Sequence, residues 1–152
     1  MIAETLIGRG DRAFDYYTRI NPSAREPIGD LHKCEPYVFA QMIAGRDAPT
    51  HGEAKNSWLT GTAAWTYYAV TQWILGIRPE YDGLRVAPVL PSAWQGFEAV
   101  RKYRGVTYRI SVKRKGSGNA VTLTADGNKI DGGVIPLPVD GRKDVLVEAV
   151  IG

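Results

Sequence analysis

Between Gly76 and Gly83 the spacing of apolar residues changes from a helical repeat to a two-residue repeat, and a fold of one class cannot serve both halves. Upstream, Ala13, Tyr17 and Ile20 with Phe14 and Tyr16 make a helical stripe, and Trp65 to Leu75 is apolar nearly all round. Downstream, Val106, Tyr108, Ile110 and Val112 alternate with Thr107, Arg109, Ser111 and Lys113, the mark of a half-buried strand. Further short strand candidates are Leu84–Val86, Val89–Leu90, Val121–Leu123, Asn128–Ile130, Val134–Leu137 and Val145–Val150. Asp126-Gly127, Gly132-Gly133 and Asp140-Gly141 punctuate them. The fold class is therefore α+β: a helical piece, then an antiparallel sandwich.

In the helical half, Met1 to Ile7 begins without a cap or polar lead-in, as though continuing a larger structure. Gly8-Arg9-Gly10-Asp11 breaks it, and Asn21-Pro22 ends the helix that follows, so a helical hairpin is expected. Ser23 to Cys34 reads as a long loop restrained by Pro22 and Pro27. Glu35-Pro36 looks like a helix start, continuing through Tyr37 to Ala44 and stopping at Gly45. Gln41 is the polar exception in that run, and on composition alone it is a solvent-facing or satisfied amide. Arg46 to Ser57 is a second polar loop, containing His51.

Asn56 to Gly76 carries the chemistry. Thr60 or Thr62 can accept from an early backbone N–H, Gly61 allows close approach to the chain, and the unpaired amides of a first helical turn favour negative charge. The same residues serve equally as an ordinary N-cap.

Composition closes several classes. With 19 basic and 16 acidic residues interspersed, a net charge of +3 gives no long basic run for nucleic acid. Lys113-Arg114-Lys115 beside Gly116 and Gly118 reads as a solvated hairpin loop. Cys34 is the only cysteine, which excludes an internal disulfide and a cysteine-built metal site. No stretch approaches the roughly 20 apolar residues of a membrane span, and Glu4 within the first apolar run argues against a secretory leader. A cytoplasmic protein is the expectation.

Cys34-Glu35-Pro36-Tyr37-Val38-Phe39-Ala40-Gln41, Ser57-Trp58-Leu59-Thr60-Gly61-Thr62-Ala63-Ala64-Trp65 and Ile74-Leu75-Gly76-Ile77-Arg78-Pro79-Glu80-Tyr81-Asp82-Gly83-Leu84 occur here in that order. Together they resemble the carboxyl-terminal part of the inverting disaccharide phosphorylases of the cellobiose phosphorylase family. The resemblance implies that residues 1–76 are the last helices of an (α/α)6 catalytic barrel. Residues 77–152 would be a small jelly-roll-like β-sandwich. It implies a glycosyltransferase reaction in which inorganic phosphate attacks the anomeric carbon of a β-linked, cellobiose-like disaccharide. The products are α-glucose 1-phosphate and a free sugar, and no cofactor is involved. Carried over by position, Gln41 matches a residue contacting the glycosyl unit, and Thr60 and Gly61 match a phosphate-contacting pair.

The general acid of the family matches nothing in this chain, so no catalytic residue is assigned. Asp30, Glu35, Asp47, Glu53 and Asp82 read as caps, turns and surface charge, and His32 and His51 as loop residues. The resemblance therefore implies a missing amino-terminal part of the same enzyme as partner, a homodimer at full length, and little activity in the chain alone. The alternatives are a noncatalytic carbohydrate-binding or interaction fragment and the phosphorylase-like module of a cyclic β-glucan synthase. Trp65, Tyr68 and Trp73 lose barrel neighbours in an isolated chain, so self-association is expected.

Overall fold

A computed structural model describes residues 1–152. The helical hairpin forms as α1 (Ile2–Leu6) and α2 (Gly10–Ile20). Its second helix lies against the chain near Leu90: a Cβ on Gly10 would stand 2.3 Å from the Leu90 carbonyl oxygen, so only glycine permits the approach. Asp11 then accepts from the Ser92 amide at 2.8 Å, and Phe14 meets Trp94 edge-on at 5.0 Å.

Three expectations for the next residues are corrected. Ser23 to Cys34 is not an irregular loop but a 3-10 turn (Pro22–Ile28) followed by α3 (Gly29–His32). Pro22 and Pro27 hold φ near helical values, and Asn21 caps the turn by accepting from the Ser23 amide at 3.4 Å. The helix expected over 36–44 is instead β1 (Ala40–Ile43), paired antiparallel with β2 (Ala54–Ser57) inside the second expected loop. Periodicity cannot separate helix from strand in so short an apolar run. The returning segment settles it, with the Ala44 amide donating to Glu53 and the Gly52 amide to Ala44. Finally, the helix from Thr62 changes pitch. α4 (Thr62–Ala69) passes into a π turn (Val70–Ile74), and Leu75 donates to Val70 at 2.8 Å. It stops at Gly76 as expected, with φ +70°.

The second half is a two-sheet sandwich. β3 (Ile77–Pro79), β4 (Gly83–Val86) and β9 (Val134–Pro136) form one sheet. β5 (Gly96–Tyr103), β6 (Val106–Arg114), β7 (Val121–Ala125), β8 (Asn128–Ile130) and β10 (Asp144–Ile151) form the other, in the order β5-β6-β10-β7-β8. The expected all-antiparallel arrangement is corrected at one place: β10 runs parallel to β6, with Val147 opposite Ile110. It arrives from the opposite sheet through β9 and so enters between β6 and β7, a direction that alternation along a single strand does not encode. Val89–Leu90 belongs to no strand, its Val89 amide donating to the Ile74 carbonyl at 3.0 Å, and Lys113 and Arg114 end β6 instead of forming a loop. The Arg114 guanidinium donates to the carbonyls of Trp94, Leu90 and Gly118, each at 3.2 Å, fastening three segments together.

Alternate residues of β6 and β10 face Leu84, Val86 and Ile135 across the core. Tyr108 lies within it fully buried, its hydroxyl without a partner, and burial raises its pKa above the usual tyrosine value. An orphaned hydroxyl costs its hydration and returns nothing. Tyr108→Phe is therefore expected to leave stability unchanged or raise it by about 1 kcal/mol. A urea midpoint lower than wild type would contradict this.

One surface network ties the last strands to a loop. Asp126 accepts from the Leu146 amide at 2.9 Å and from Arg142 at 2.7 Å, while Arg142 also grips Asp140. That grip lowers the Asp140 carboxyl from its ordinary 3.8 to about 2. A carboxyl lowered on folding stabilises when ionised, so its contribution is whole above pH 3.8 and lost as pH falls towards 2. Thermal melts over that interval should decline more steeply in wild type than in Arg142→Ala, and superimposable profiles would refute the assignment.

Candidate functional site

The β1–β2 hairpin and the start of α4 build one corner of the helical half. Ala40 pairs with Ser57, which puts Gln41 across from Asn56, and the Gln41 amide oxygen accepts from the Asn56 side chain at 2.9 Å. Asn56 and Trp58 both hold positive φ, at 55° and 69°. Non-glycine residues in that region carry strain that their surroundings must hold in place. Here the restraint is visible: the Trp58 indole N–H donates to Glu35 at 3.3 Å, and its ring meets Tyr37 edge-on. Glu35 thus has a structural task that its sequence position did not reveal.

Beyond Trp58 the chain turns into α4. The Thr60 hydroxyl accepts from the Thr62 amide at 3.0 Å and lies 2.7 Å from the Thr62 hydroxyl. The first helical bond runs from the Trp65 amide to the Gly61 carbonyl at 3.0 Å, leaving the amides of Gly61, Ala63 and Ala64 with no acceptor in the chain. Thr60 thus accepts from one amide of the turn, and the other three face away from any acceptor in the chain.

Thr60, Gly61 and Thr62 border an open cavity of about 700 Å³, with Ile2 and Trp65 on its walls. Gln41 borders a second of about 270 Å³, shared with Arg25 and His32. Ile20 and Thr62 line both, so Gln41 and the Thr60–Thr62 turn occupy adjoining spaces on one side of the helical half. His32 is not the loop residue expected from sequence. It ends α3 and is buried, and no periodicity in its neighbourhood could have announced that. His51 is an exposed turn residue, and Glu53 is engaged by Lys33 and Lys55, whose hydrogen bonds lower its pKa.

Trp65, Tyr67, Trp58 and Leu59 are exposed around this corner, whereas Trp73 is covered by the Arg78 guanidinium at 4.2 Å from its ring centroid. No three His, Cys, Asp or Glu side chains gather in a metal-binding group. No helix is long and apolar enough to cross a membrane.

The catalytic-domain model of the glycosyl hydrolase 94 superfamily matches residues 1–76, and the carboxyl-terminal domain model of glycosyl hydrolase family 65 matches residues 77–143. The chain is 44% identical over 132 residues to N,N'-diacetylchitobiose phosphorylase of Vibrio furnissii, covering 86% of this chain and 16% of that protein. It is 40% identical over 143 residues to solabiose phosphorylase of Paenibacillus borealis, covering 93% of this chain and 19% of that protein. Against the cyclic beta-(1,2)-glucan synthase NdvB of Rhizobium meliloti it is 38% identical over 109 residues, 70% of this chain and 4% of that protein. The chain spans less than a fifth of the length of these curated relatives. With its helical half matched throughout, the chain belongs to the glycosyl hydrolase 94 superfamily.

Proposed function

We propose that this chain supplies the phosphate-binding corner and part of the glycosyl subsite of an inverting phosphorylase acting on a β-linked, cellobiose-like disaccharide. In this reading residues 1–76 are the closing helices of an (α/α)6 barrel and residues 77–152 its terminal β-sandwich. The boundary between the two family matches, after residue 76, supports that division. Thr60 and the amides from Gly61 onward hold inorganic phosphate, and Gln41 contacts the sugar. The observation that carries the proposal is the adjacency of the two cavities at Ile20 and Thr62.

The chemistry asks little more of these residues. Phosphate is already an anionic nucleophile, so it needs position and charge neutralisation rather than a general base; amides at a helix start supply both. Protonation of the departing sugar oxygen falls to a carboxylic acid in the remainder of the barrel, which also covers Trp58, Leu59 and Trp65. Alone, the chain is inactive; the whole enzyme is a homodimer without cofactor.

Phosphorolysis is tested by joining the chain to its barrel and following release of sugar 1-phosphate from cellobiose and from N,N'-diacetylchitobiose. Release that requires phosphate and yields the α anomer is expected, and cleavage at the same rate without phosphate defeats the proposal. The likeness to the glucan synthase favours a second reading, a processing module of such a synthase. In that case neither disaccharide is phosphorolysed.

A further inference from the structure

We infer that the free edge of β5 is a docking surface for a second copy of this chain, the two β5 strands pairing antiparallel about Val100 so that their sheets join. β5 pairs only with β6 and runs for 8 residues, whereas β8, at the other edge of that sheet, has 3. No proline interrupts β5, and its register with β6 is unbroken from Gly96 to Tyr103. A long edge of this kind is a template for another strand unless charge or a bulge guards it. The surface belongs to the β half, whereas Thr60, Gly61, Trp58 and Trp65 belong to the helical half, so the inference is independent of the phosphate reading.

Alternate residues of a strand turn their backbone groups to opposite sides. The Arg114 amide donates to the Gln95 carbonyl at 2.8 Å, in line with the β5–β6 register, so the odd-numbered residues of β5 bond to β6. The N–H and C=O groups of Glu98, Val100 and Lys102 therefore face the open edge. In a pair centred on Val100 those same residues stand opposite one another. Val100 exchanges backbone hydrogen bonds with the partner's Val100, and Glu98 with the partner's Lys102, twice by symmetry.

The side chains match in that register. Val100 is 61% exposed, and Glu98 and Lys102 are exposed on the same face. Neither enters an ion pair within the chain. The stretch Glu98-Ala99-Val100-Arg101-Lys102 is thus its own electrostatic complement when reversed, and a lysine that would otherwise guard the edge is neutralised by the partner's Glu98. On the other face Phe97 stands opposite the partner's Tyr103, and Ala99 leaves room for the partner's Arg101. Opposite charges and aromatic pairs directly across two strands both stabilise. Slipping the register by two residues sets Val100 against a charged residue.

The test is sedimentation equilibrium of the 152-residue chain at low ionic strength. Wild type should dimerise. Lys102→Glu sets glutamate against glutamate at both symmetry-related places and should raise the dimer dissociation constant at least about tenfold; Glu98→Lys should do the same. An equimolar mixture of these two variants should regain wild-type affinity, because each supplies the charge that the other lacks. Val100→Pro removes an N–H that faces the open edge and not β6, so it should abolish pairing while circular dichroism stays that of wild type. A monomeric wild type overturns the inference. So does association that persists equally in Lys102→Glu, as it would through the exposed tryptophans, or a mixture that fails to recover.

Discussion

Gly76→Ala is expected to cost on the order of 3 kcal/mol or more, a large share of the roughly 5 to 15 kcal/mol that holds a domain folded. Two independent penalties coincide there. Gly76 has φ +70°, where a side chain is strained, and an added Cβ would stand 2.1 Å from the Ala87 carbonyl oxygen and 2.5 Å from the Pro88 nitrogen. Neither obstacle is a side chain able to swing aside. The Ala87 amide donates to the Gly76 carbonyl at 3.0 Å and the Val89 amide to Ile74 at 3.0 Å, so the helix end and the segment after β4 are fastened at this point. Urea unfolding of the variant should show a much lower midpoint. A shift equivalent to less than about 1 kcal/mol would mean that the joint opens freely and that the halves are not locked there.

At Gly61 the same substitution should do little to stability and much more to binding. Gly61 has φ −75°, which any residue adopts, and a Cβ there would meet Trp65 Cδ1 at 3.5 Å, an ordinary contact. Gly61→Ala is therefore expected to change stability by less than about 1 kcal/mol. A methyl beside the unpaired amides nevertheless holds an oxyanion away from them. Phosphate affinity should fall at least about tenfold, equivalent to about 1.4 kcal/mol. Unaltered affinity in a folded variant would remove Gly61 from the phosphate site.

The α+β division, the hairpin of the first 20 residues, the Gly76 stop and the inward face of β6 were legible because long periodic runs record which face is buried. What failed was decided by partners distant in sequence. β1 is a strand because residues 52–57 return to pair with it, and the parallel entry of β10 depends on its crossing from the other sheet. β5 escaped notice because Val100 points outward and Arg101 inward with its Nε buried, reversing the expected pattern in mid-strand. At the candidate site, Gln41, Thr60 and Gly61 were named from a resemblance, and the helix-start chemistry of Thr60–Thr62 was readable directly. The burial of His32 and the free Arg25 Nε were not, because a 3-10 turn of mixed polarity leaves no periodic trace.

Whether the start of α4 holds inorganic phosphate is reported directly by amide chemical shifts of the labelled chain. Adding phosphate should displace the Gly61, Ala63 and Ala64 resonances along a saturable curve, with smaller changes at Thr60 and Thr62. If those signals stay fixed, or if only residues near the Lys113–Lys115 cluster respond, phosphate does not bind at the start of α4.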